Sequence, residues 1–352
     1  MKTSMNEIEI QALEALKTCL RRVPFLTVES VKQEPRTDDA QFDILARVRI
    51  AQERQNIVVE VEGNGQPRIV RSAIFRLLRY REKNPKAYCV VIAPYISPQS
   101  AAICAKEGIG YIDLAGNCRL TFDKVYIEQE GKTNPFAVKR DLRSLYSPKA
   151  ERVLRVLLDN PRKSWRVQSL AKEAIVSLGQ VSNVKSLLEN REWLMNTDAG
   201  LVLSAPDQLL TEWSENYDFS RNITRNYYTL KTMAEIEADL AEICMKKGIS
   251  YTLTGFSAAA RYAPAVRYQR AMAYVGEKVD EMANLLSLKE VSSGANVTFV
   301  SPYDEGVMYG SRLFDAIQVA MPVQVYLDLL SMKGRGEEAA AILLDEVIKK
   351  QW

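Results

Sequence analysis

The stretch VSLGQVSNVKSLLENREW, residues 176–193, decides how the middle of this chain folds. Its turn residues, Ser177-Leu178-Gly179, predict a sharp reversal in which Gly179 adopts the left-handed conformation that glycine takes at little cost. After the turn, apolar residues recur at the spacing of a single helix face. These residues are Val181, Val184, Leu187 and Leu188. The stretch therefore predicts a helix that buries this face and leaves a polar face outside.

Two more helices and a hairpin are predicted around this stretch. Residues 147–161, SPKAERVLRVLLDNP, have a broad apolar face and end in Asn-Pro, which stops a helix. Residues 164–175, SWRVQSLAKEAI, predict a short strand and a second helix. Residues 193–204, WLMNTDAGLVLS, predict a hairpin with its tip at Asp198-Ala199-Gly200. Three helices followed by a hairpin indicate a winged helix-turn-helix at residues 147–205.

The polar face of the third helix has the chemistry of a surface that reads DNA bases. Glutamine and asparagine pair with adenine edges, serine donates or accepts, and lysine reaches a guanine or a phosphate. The candidate DNA contacts are Gln180, Ser182, Asn183, Lys185 and Ser186, together with the cationic Arg162, Lys163 and Arg166 between the first two helices. The alternative is a winged helix used only for protein contacts, because one fold hosts many functions.

The cationic charge of the chain is concentrated in the same region. Residues 139–195 contain twelve Lys or Arg against six Asp or Glu, a net charge of +6, whereas the whole chain carries +3. The remainder is therefore net −3. Because double-stranded DNA is a polyanion, we expect operator DNA as the partner of this segment.

Composition places the chain among globular proteins without a membrane span or a secretion signal. Its 352 residues suffice for two or three domains, and 47% hydrophobic with 26% charged residues is typical of a folded protein. No apolar run approaches the roughly 18 to 20 residues that a membrane helix needs. Acids interrupt the N-terminal segment where a signal peptide is apolar. We expect a cytoplasmic protein.

Cysteine and histidine usage excludes several kinds of site. The cysteines are scattered without a CxxC pair, which indicates neither a zinc site nor a disulfide framework. They are Cys19, Cys89, Cys104, Cys118 and Cys244. The chain has no histidine, which excludes Ser-His-Asp and Cys-His nucleophile systems. Any catalysis must therefore use carboxylates, lysine, tyrosine or a metal held by oxygen.

Residues 1–135 predict an α/β domain. An amphipathic helix at residues 6–22 precedes three strand-like segments, FLTVESVK, FDILARVRI and NIVVEVEG. A helix, a buried strand, a second helix, another strand and a hairpin follow. Alternation in FDILARVRI puts its apolar residues on one face. They are Phe42, Ile44, Ala46, Val48 and Ile50.

This order of elements resembles the restriction-endonuclease-like, or PD-(D/E)xK, fold. Asp43 lies on one predicted strand, and Glu60 and Glu62 follow on the next. In active members, an Asp and the first acid of the (D/E)xK motif hold Mg²⁺, and a lysine assists the attacking water. The resemblance therefore implies Asp43 and Glu60 as metal ligands. Glu62 replaces the lysine here, although an E-x-E arrangement also occurs in some active members.

This departure leaves two interpretations of the N-terminal domain. In the first, Asp43 and Glu60 bind Mg²⁺ and Glu62 orients the water of a DNA nuclease. Arg68 or Arg71 would then offer a positive charge, although arginine is a poor general base. In the second, the domain needs no metal, and its acids lie on a half-exposed strand of an inactive scaffold.

The rest of the chain predicts a connector and a further domain. Residues 136–146 are polar and gather Lys139, Arg140 and Arg143, which predicts a basic linker along the phosphate backbone. A plain solvated linker is the alternative. Residues 206–352 alternate helices with short strands and predict an α/β domain for partner binding or dimerisation.

Three segments, taken in order, resemble a known family. They are EVEGNGQPRIVRSAIFRLLRY at residues 60–80, GYIDLAGNCRL at residues 110–120 and PDQLLTEWSENY at residues 206–217. Together with the predicted winged helix, they are similar to the AbiEi-like antitoxins of type IV toxin–antitoxin systems, which are predicted transcriptional regulators. The resemblance implies a protein that represses its own operon and opposes a nucleotidyltransferase-type toxin in abortive infection.

The sequence thus supports three functional hypotheses. We favour a sequence-specific DNA-binding regulator and antitoxin, which as a homodimer would bind paired half-sites. The second hypothesis is a Mg²⁺-dependent DNA nuclease targeted by its winged helix. The third is an interaction module in which the C-terminal domain binds the toxin.

Overall fold

The structure, a computed structural model, describes residues 5–33, 42–136, 145–263, 268–276, 278–332 and 334–352. The chain divides into two compact units, Met1–Lys139 with Glu189–Glu192 and Arg140–Leu188 with Trp193–Trp352. Each unit is built on a mixed seven-stranded sheet, which confirms the α/β class expected from the sequence. Most of the linker expected at 136–146 lies outside the described residues, including Lys139, Arg140 and Arg143.

The first unit has its elements in the order that the sequence predicts. They are α1 (Met5–Arg21), β1 (Leu26–Gln33), β2 (Ile44–Ile50), β3 (Glu53–Val61), α2 (Pro67–Lys83), β4 (Tyr88–Ala93), α3 (Pro98–Lys106), β5 (Gly110–Asp113), β6 (Cys118–Phe122) and β7 (Val125–Gln129). The strands lie side by side in chain order. β3, β4 and β5 are parallel because helices connect them, whereas the other neighbours pair antiparallel.

Helices cover both faces of this sheet. On one face, Leu16 and Leu20 of α1 pack with Ile44 and Val48 of β2. On the other face, α2 and α3 pack over residues that include Val58 of β3. Such two-sided burial follows from the alternation of side chains along each strand.

One residue that the sequence predicts on the buried face of β2 lies on the other side of the sheet. Phe42 precedes the strand, which begins at Ile44, and it packs with the core under α2. Its ring meets that of Tyr80 edge to face, with centroids 4.6 Å apart. The expectation that Phe42 shares a face with Ile44 was therefore wrong, because the strict alternation applies only inside the strand.

The second unit begins with three helices and a two-stranded hairpin and continues into an α/β part. The first elements are α4 (Pro148–Asp159), α5 (Val167–Glu173), α6 (Leu178–Asn190), β8 (Leu194–Thr197) and β9 (Gly200–Leu203). The others are α7 (Pro206–Asn216), β10 (Ile223–Tyr228), α8 (Met233–Lys247), β11 (Tyr251–Leu253), α9 (Gly255–Tyr262), β12 (Ala271–Val275), α10 (Val279–Leu285), β13 (Lys289–Glu290), β14 (Val297–Ser301), β15 (Arg312–Phe314), β16 (Ile317–Val319), α11 (Pro322–Leu330), α12 (Arg335–Leu343), a π-helical turn (Leu344–Ile348) and α13 (Lys349–Gln351).

The sheet of this unit runs in the order β13-β10-β14-β12-β11-β16-β15.

Local sequence explains where the helices of this unit start and stop, and α8 is an example. The Thr232 side chain accepts from the Glu235 backbone N–H, while the Glu235 side chain accepts from the Thr232 N–H. This reciprocal cap satisfies two donors that a helix start leaves unpaired. Gly248, at φ 64°, ends the helix in the left-handed conformation.

The larger of two hydrophobic clusters in the described part of the second unit extends from its first helices into its α/β part. It contains Leu154 and Leu157 of α4, Val184 of α6, Leu209 of α7 and Leu327 of α11. Residues 147–205 and 206–352, which the sequence divides into two domains, therefore contribute to one core.

Two arginines of α4 add polar contacts to this core. Arg152 donates to the Asp304 carboxylate from Nε at 2.6 Å and from Nη2 at 3.1 Å. Arg155 is fully buried and donates to Gln324 Oε1 from Nε at 3.0 Å and from Nη2 at 2.7 Å. Its guanidinium lies 5.1 Å from the centroid of the Trp213 ring. Helix α4 is therefore tied to α11 by buried hydrogen bonds as well as by apolar packing.

Among the described residues, no helix is both long enough and apolar enough to cross a bilayer.

Replacing Arg155 with alanine should destabilise the second unit by about 3 kcal/mol or more, because a buried ion pair and two hydrogen bonds lose one partner. Urea unfolding followed by tryptophan fluorescence measures this unit alone, since all four tryptophans of the chain belong to it. Arg225→Ala is the matched control, because it removes a more exposed arginine that pairs with Asp280 and should cost within about 0.5 kcal/mol. Equal effects of the two substitutions would contradict the role given to Arg155.

Candidate nucleic-acid interface

A serine caps the first turn of α6, and the backbone reverses its direction at an isoleucine before that serine. Ser177 Oγ accepts from the backbone N–H of Gln180 at 3.2 Å, so this hydroxyl satisfies a donor of the first helical turn. Gly179 lies inside α6 and has no positive φ. Ile175 takes the left-handed conformation instead, at φ 53°. The expectation that Gly179 makes the reversal was wrong, because the chain reverses before Ser177 rather than after it.

Helix α6 buries one face and exposes the other, as its spacing predicts. Val181, Val184 and Leu188 are buried. Four of the predicted DNA contacts lie on the remaining surface, where Ser182, Asn183 and Ser186 are exposed and Lys185 is half-buried. Gln180 is half-buried and lies one turn before buried Val184, on the side of α6 that faces Ala171 and Lys172. The structure therefore brings four of the five predicted side chains of α6 to one helix surface with amide, hydroxyl and ammonium groups.

The hairpin β8–β9 is held against the segment between α4 and α5. The backbones of Trp165 and Leu201 exchange two hydrogen bonds of 2.8 Å. Gly200 makes this approach possible, because a Cβ there would lie 2.5 Å from the Trp165 carbonyl oxygen. Its φ of 136° also disfavours a side chain. The tip consists of Asp198 and Ala199, between paired Thr197 and Gly200.

The predicted cationic contacts near this hairpin differ in how they are held. Lys163 lies over the Trp165 ring, with Nζ 3.8 Å from its centroid. Arg162 donates to the backbone oxygen of Trp352. Arg166 is exposed and immediately precedes α5. These residues are on the surface, and Lys163 and Arg162 are already oriented by partners in their own unit.

A set of residues beside the start of α6, of which the sequence analysis selected only Gln180 as a DNA contact, forms a further surface. They line a shallow cleft of about 580 Å³ and comprise Lys149, Ala171, Lys172, Ile175, Val176, Ser177 and Gln180. Ile175 is 74% exposed and Leu178 is 51% exposed. An apolar side chain next to lysines suits a thymine methyl group beside a phosphate. In the sequence, Ile175 directly follows Ala174 and falls outside the buried face of α5. This position could have identified Ile175 as an exposed apolar residue.

Part of the positive charge counted in the sequence is neutralised internally. Arg155 is buried, with Nη1 3.7 Å from Glu151 Oε2. Arg152 pairs with Asp304, and Lys149 lies 3.5 Å from the same carboxylate. Asp304 lies outside residues 139–195, so its pairing with Arg152 offsets part of the surplus of +6, whereas the Arg155–Glu151 pair is already counted in that surplus.

The acids predicted as catalytic in the first unit lie together at the end of β3. Glu60 is 7% exposed, and Glu62 follows directly after the strand. Asp43 Oδ2 accepts from the backbone N–H of Val61 at 2.6 Å, which fixes it beside them. The spacing in the sequence thus gave a real cluster of three carboxylates.

An arginine that the sequence analysis did not select binds two of these acids. Arg76 of α2 donates to Glu60 Oε2 from Nε at 3.0 Å and from Nη2 at 2.6 Å, and to Glu62 Oε1 from Nη2 at 2.6 Å. Neither Arg68 nor Arg71 supplies these contacts. Burial raises the pKa of the Glu60 carboxyl, Arg76 opposes that shift, and the charges of Asp43 and Glu62 raise the pKa further.

Among the described residues, no group of three or more Asp, Glu, Cys or His side chains has an arrangement suited to a metal ion. The three carboxylates are close, but two of them face a guanidinium. All five cysteines are buried thiols without disulfides.

Comparison with known proteins gives a partial family match. Residues 202–349 match the family model described as "Transcriptional regulator, AbiEi antitoxin, Type IV TA system". This part of the chain is therefore similar to that family. No curated protein matches the chain. A solved structure titled "Structure of EndoMS-dsDNA2 complex" is 15% identical with a TM-score of 0.22, and the match covers 29% of this chain and 43% of that chain.

Replacing Arg76 with alanine should destabilise the first unit by about 1 to 3 kcal/mol near neutral pH, because the Glu60 carboxylate loses its charged donor. The pKa of Glu60 is already raised, so the folded state favours its protonated form and loses stability as pH rises through that pKa. The deficit of the variant should therefore shrink on acidification. Urea unfolding by far-UV circular dichroism measures it, with tryptophan fluorescence identifying the second unit's share.

The matched control for this measurement is the double variant Arg76→Ala, Glu60→Gln. A neutral amide needs no cation, so the double variant should recover part of the lost stability and show less pH dependence. A deficit of Arg76→Ala that grows on acidification would contradict the assigned role of Glu60.

Proposed function

We propose that the protein is a sequence-specific DNA-binding transcriptional regulator that acts as the autorepressing antitoxin of a type IV toxin–antitoxin system. In this proposal, residues 147–205 form a winged helix-turn-helix and residues 1–135 form a restriction-endonuclease-like domain without a required catalytic role. Residues 206–352 form the domain for partner binding or dimerisation. The observation that carries the proposal is the exposed polar surface of α6, next to a part of the chain similar to an antitoxin family.

Recognition of an operator would use α6 in the major groove. Amide side chains there pair with the N6 and N7 edge of adenine, which suits Asn183 and Gln180. Lys185 offers an ammonium to a guanine or a phosphate, and Ser182 and Ser186 donate or accept. Arg166 and Lys163, beside the hairpin, suit phosphates, which position the protein rather than specify a sequence.

The antitoxin part of the proposal rests on the family match over residues 202–349. It implies a cognate toxin, which we propose to be of the nucleotidyltransferase type, and operator DNA upstream of the protein's own gene. Binding as a homodimer would place two α6 helices on half-sites about 34 to 36 Å apart. A regulator of its own operon works in the cytoplasm, where that DNA is.

The arrangement of Arg76 favours a regulator over a Mg²⁺-dependent nuclease. A metal-bound phosphodiester needs carboxylates that face the cation. Glu60 and Glu62 instead accept hydrogen bonds from one guanidinium, that of Arg76. A metal ion would have to displace that guanidinium, and so break two charge-assisted contacts, before it could bind.

Asn183→Ala and Lys185→Ala should each weaken binding to the protein's own upstream DNA by about 1 to 3 kcal/mol if they contact bases. A gel shift titrated with salt measures both affinity and the number of phosphate contacts. Lys246→Ala is the matched control, because Lys246 lies on α8, is exposed and pairs with Glu242 outside residues 147–205. Unchanged affinity of both test variants would remove α6 as the recognition helix.

Incubation of the protein with plasmid or single-stranded DNA and Mg²⁺ or Mn²⁺ should give no more cleavage than its Asp43→Ala variant. The physical reason is the occupation of Glu60 and Glu62 by Arg76. Metal-dependent cleavage that disappears in Asp43→Ala would establish the nuclease alternative and make Asp43, Glu60 and Glu62 its catalytic residues.

A further inference from the structure

Two cysteines of the first unit lie in direct contact. Cys19 is on the buried face of α1, with Leu16 and Leu20, and Cys118 is the first residue of β6. Both belong to the hydrophobic cluster between α1 and the sheet, where Cys19 is 5% exposed and Cys118 is 1% exposed. The Cys19 thiol donates a hydrogen bond to the Cys118 sulfur. Although they are far apart in the sequence, these two cysteines therefore form one thiol pair.

Hydrogen bonds that do not involve sulfur place the end of α1 beside the first residue of β6. The backbone N–H of Arg22 donates to the carbonyl oxygen of Cys19 at 3.2 Å. Arg22 Nη1 donates to Gln129 Oε1 at 2.8 Å. Gln129 of β7 pairs in register with Cys118 of β6. The contact between the two thiols is therefore part of a wider set of contacts between the same elements.

The thiol pair lies just beneath the surface of the first unit. Arg22 is exposed and lies one turn of the chain after Cys19. Its hydrogen bond to Gln129 is also at the exposed surface. Exposed side chains change rotamer within picoseconds to nanoseconds. A molecule as small as hydrogen peroxide therefore needs only local movement of side chains to reach the two sulfurs.

The acidity of the thiol pair differs from that of the other cysteines in this unit. Burial raises the pKa of Cys89 to about 11 and the pKa of Cys104 to about 12. At Cys118, the hydrogen bond from Cys19 lowers the pKa, burial opposes this shift, and the charge of Arg22 lowers the pKa further. The same hydrogen bond, together with burial, raises the pKa of Cys19. Cys118 is therefore suited to react as a thiolate, while Cys19 retains its proton.

We propose that Cys19 and Cys118 are a redox-sensitive modification site, at which a peroxide closes a disulfide and a low-molecular-weight thiol reopens it. The Cys118 thiolate attacks one oxygen of the peroxide, the O–O bond breaks, and hydroxide leaves as a sulfenic acid forms. The Cys19 sulfur then attacks the Cys118 sulfur, the S–S bond forms, the S–O bond breaks, and water leaves with the Cys19 proton. The two sulfurs lose two electrons, which reduce the peroxide. In the reverse direction, two reducing thiols exchange with the disulfide and become a disulfide themselves.

The disulfide ties the end of α1 to β6. It closes a loop of about 100 residues, and a cross-link stabilises mainly by restricting the unfolded chain, more so for a longer loop. The oxidised first unit therefore unfolds at a higher urea concentration than the reduced one. The thiol pair does not involve α6, so this proposal holds or fails independently of DNA binding.

The test is peptide mapping of the full-length protein by mass spectrometry after exposure to hydrogen peroxide and alkylation of the remaining thiols in urea. A peptide pair joined through Cys19 and Cys118 should appear, with the mass of two hydrogen atoms lost, and dithiothreitol should remove it. Far-UV circular dichroism in urea should show a higher unfolding midpoint for the oxidised protein, which returns to its first value on reduction.

Cys19→Ala should stop the reaction at the sulfenic acid of Cys118, which dimedone, a cyclic 1,3-dione, labels. In this variant Cys118 should be labelled at least about tenfold faster than Cys104, because the thiolate is the nucleophile. Cys104→Ala is the matched control, since it removes another buried thiol of the same unit and should form the disulfide at the rate of the unaltered protein. Far-UV circular dichroism checks that each variant is folded.

Four outcomes would overturn the proposal. They are the absence of the joined peptides after exposure to millimolar peroxide, a disulfide that forms only in urea-unfolded protein, dimedone labelling of Cys104 as fast as that of Cys118, and loss of the disulfide in folded Cys104→Ala. An unchanged urea midpoint in fully oxidised protein would contradict the tie between α1 and β6.

Discussion

A chain of buried polar contacts from Arg155 to Asp328 holds the second unit together. Arg155 donates to Gln324 Oε1, and Gln324 Nε2 donates to Asp328 Oδ1 at 2.8 Å. Asp328 also accepts from the hydroxyls of Tyr217 and Tyr274 at 2.7 and 3.0 Å. Burial raises its pKa to about 6, although these donors oppose the shift. The network specifies one packing of α4 on α11, although Arg155 Nη1 has no hydrogen-bond partner among the described residues and only lies 3.7 Å from Glu151 Oε2.

That packing supports the surface to which we assign DNA recognition. α4 shares a core with α6, so its docking on α11 determines how the proposed recognition helix is supported. Tyr274, which donates to Asp328, lies on β12 in the middle of the sheet, so the same network reaches the α/β part. The helical part and the α/β part of this unit are thus joined by hydrogen bonds between a few buried polar side chains as well as by apolar contacts.

In the first unit, one arginine side chain determines whether an acidic motif is available to a metal ion. Asp43, Glu60 and Glu62 do lie together, as their spacing on neighbouring strands predicts. Arg76 of α2 faces Glu60 because residues 58 and 60 of β3 point toward that helix. The carboxylates of Glu60 and Glu62, which could bind a metal cation, therefore pair with Arg76 of the chain itself.

The sequence by itself determined the α/β class, the order of elements in the first unit, the three helices and hairpin of residues 147–205, and the polar surface of α6. These features follow from periodicity and turn chemistry, which act over a few residues. Only the tertiary structure decided that Arg155 is a core residue, that Arg76 neutralises Glu60 and Glu62, and that Cys19 and Cys118 form one thiol pair. Each of these pairs residues from elements far apart in the chain, and a polar side chain looks the same in a sequence whether it meets water or a buried partner.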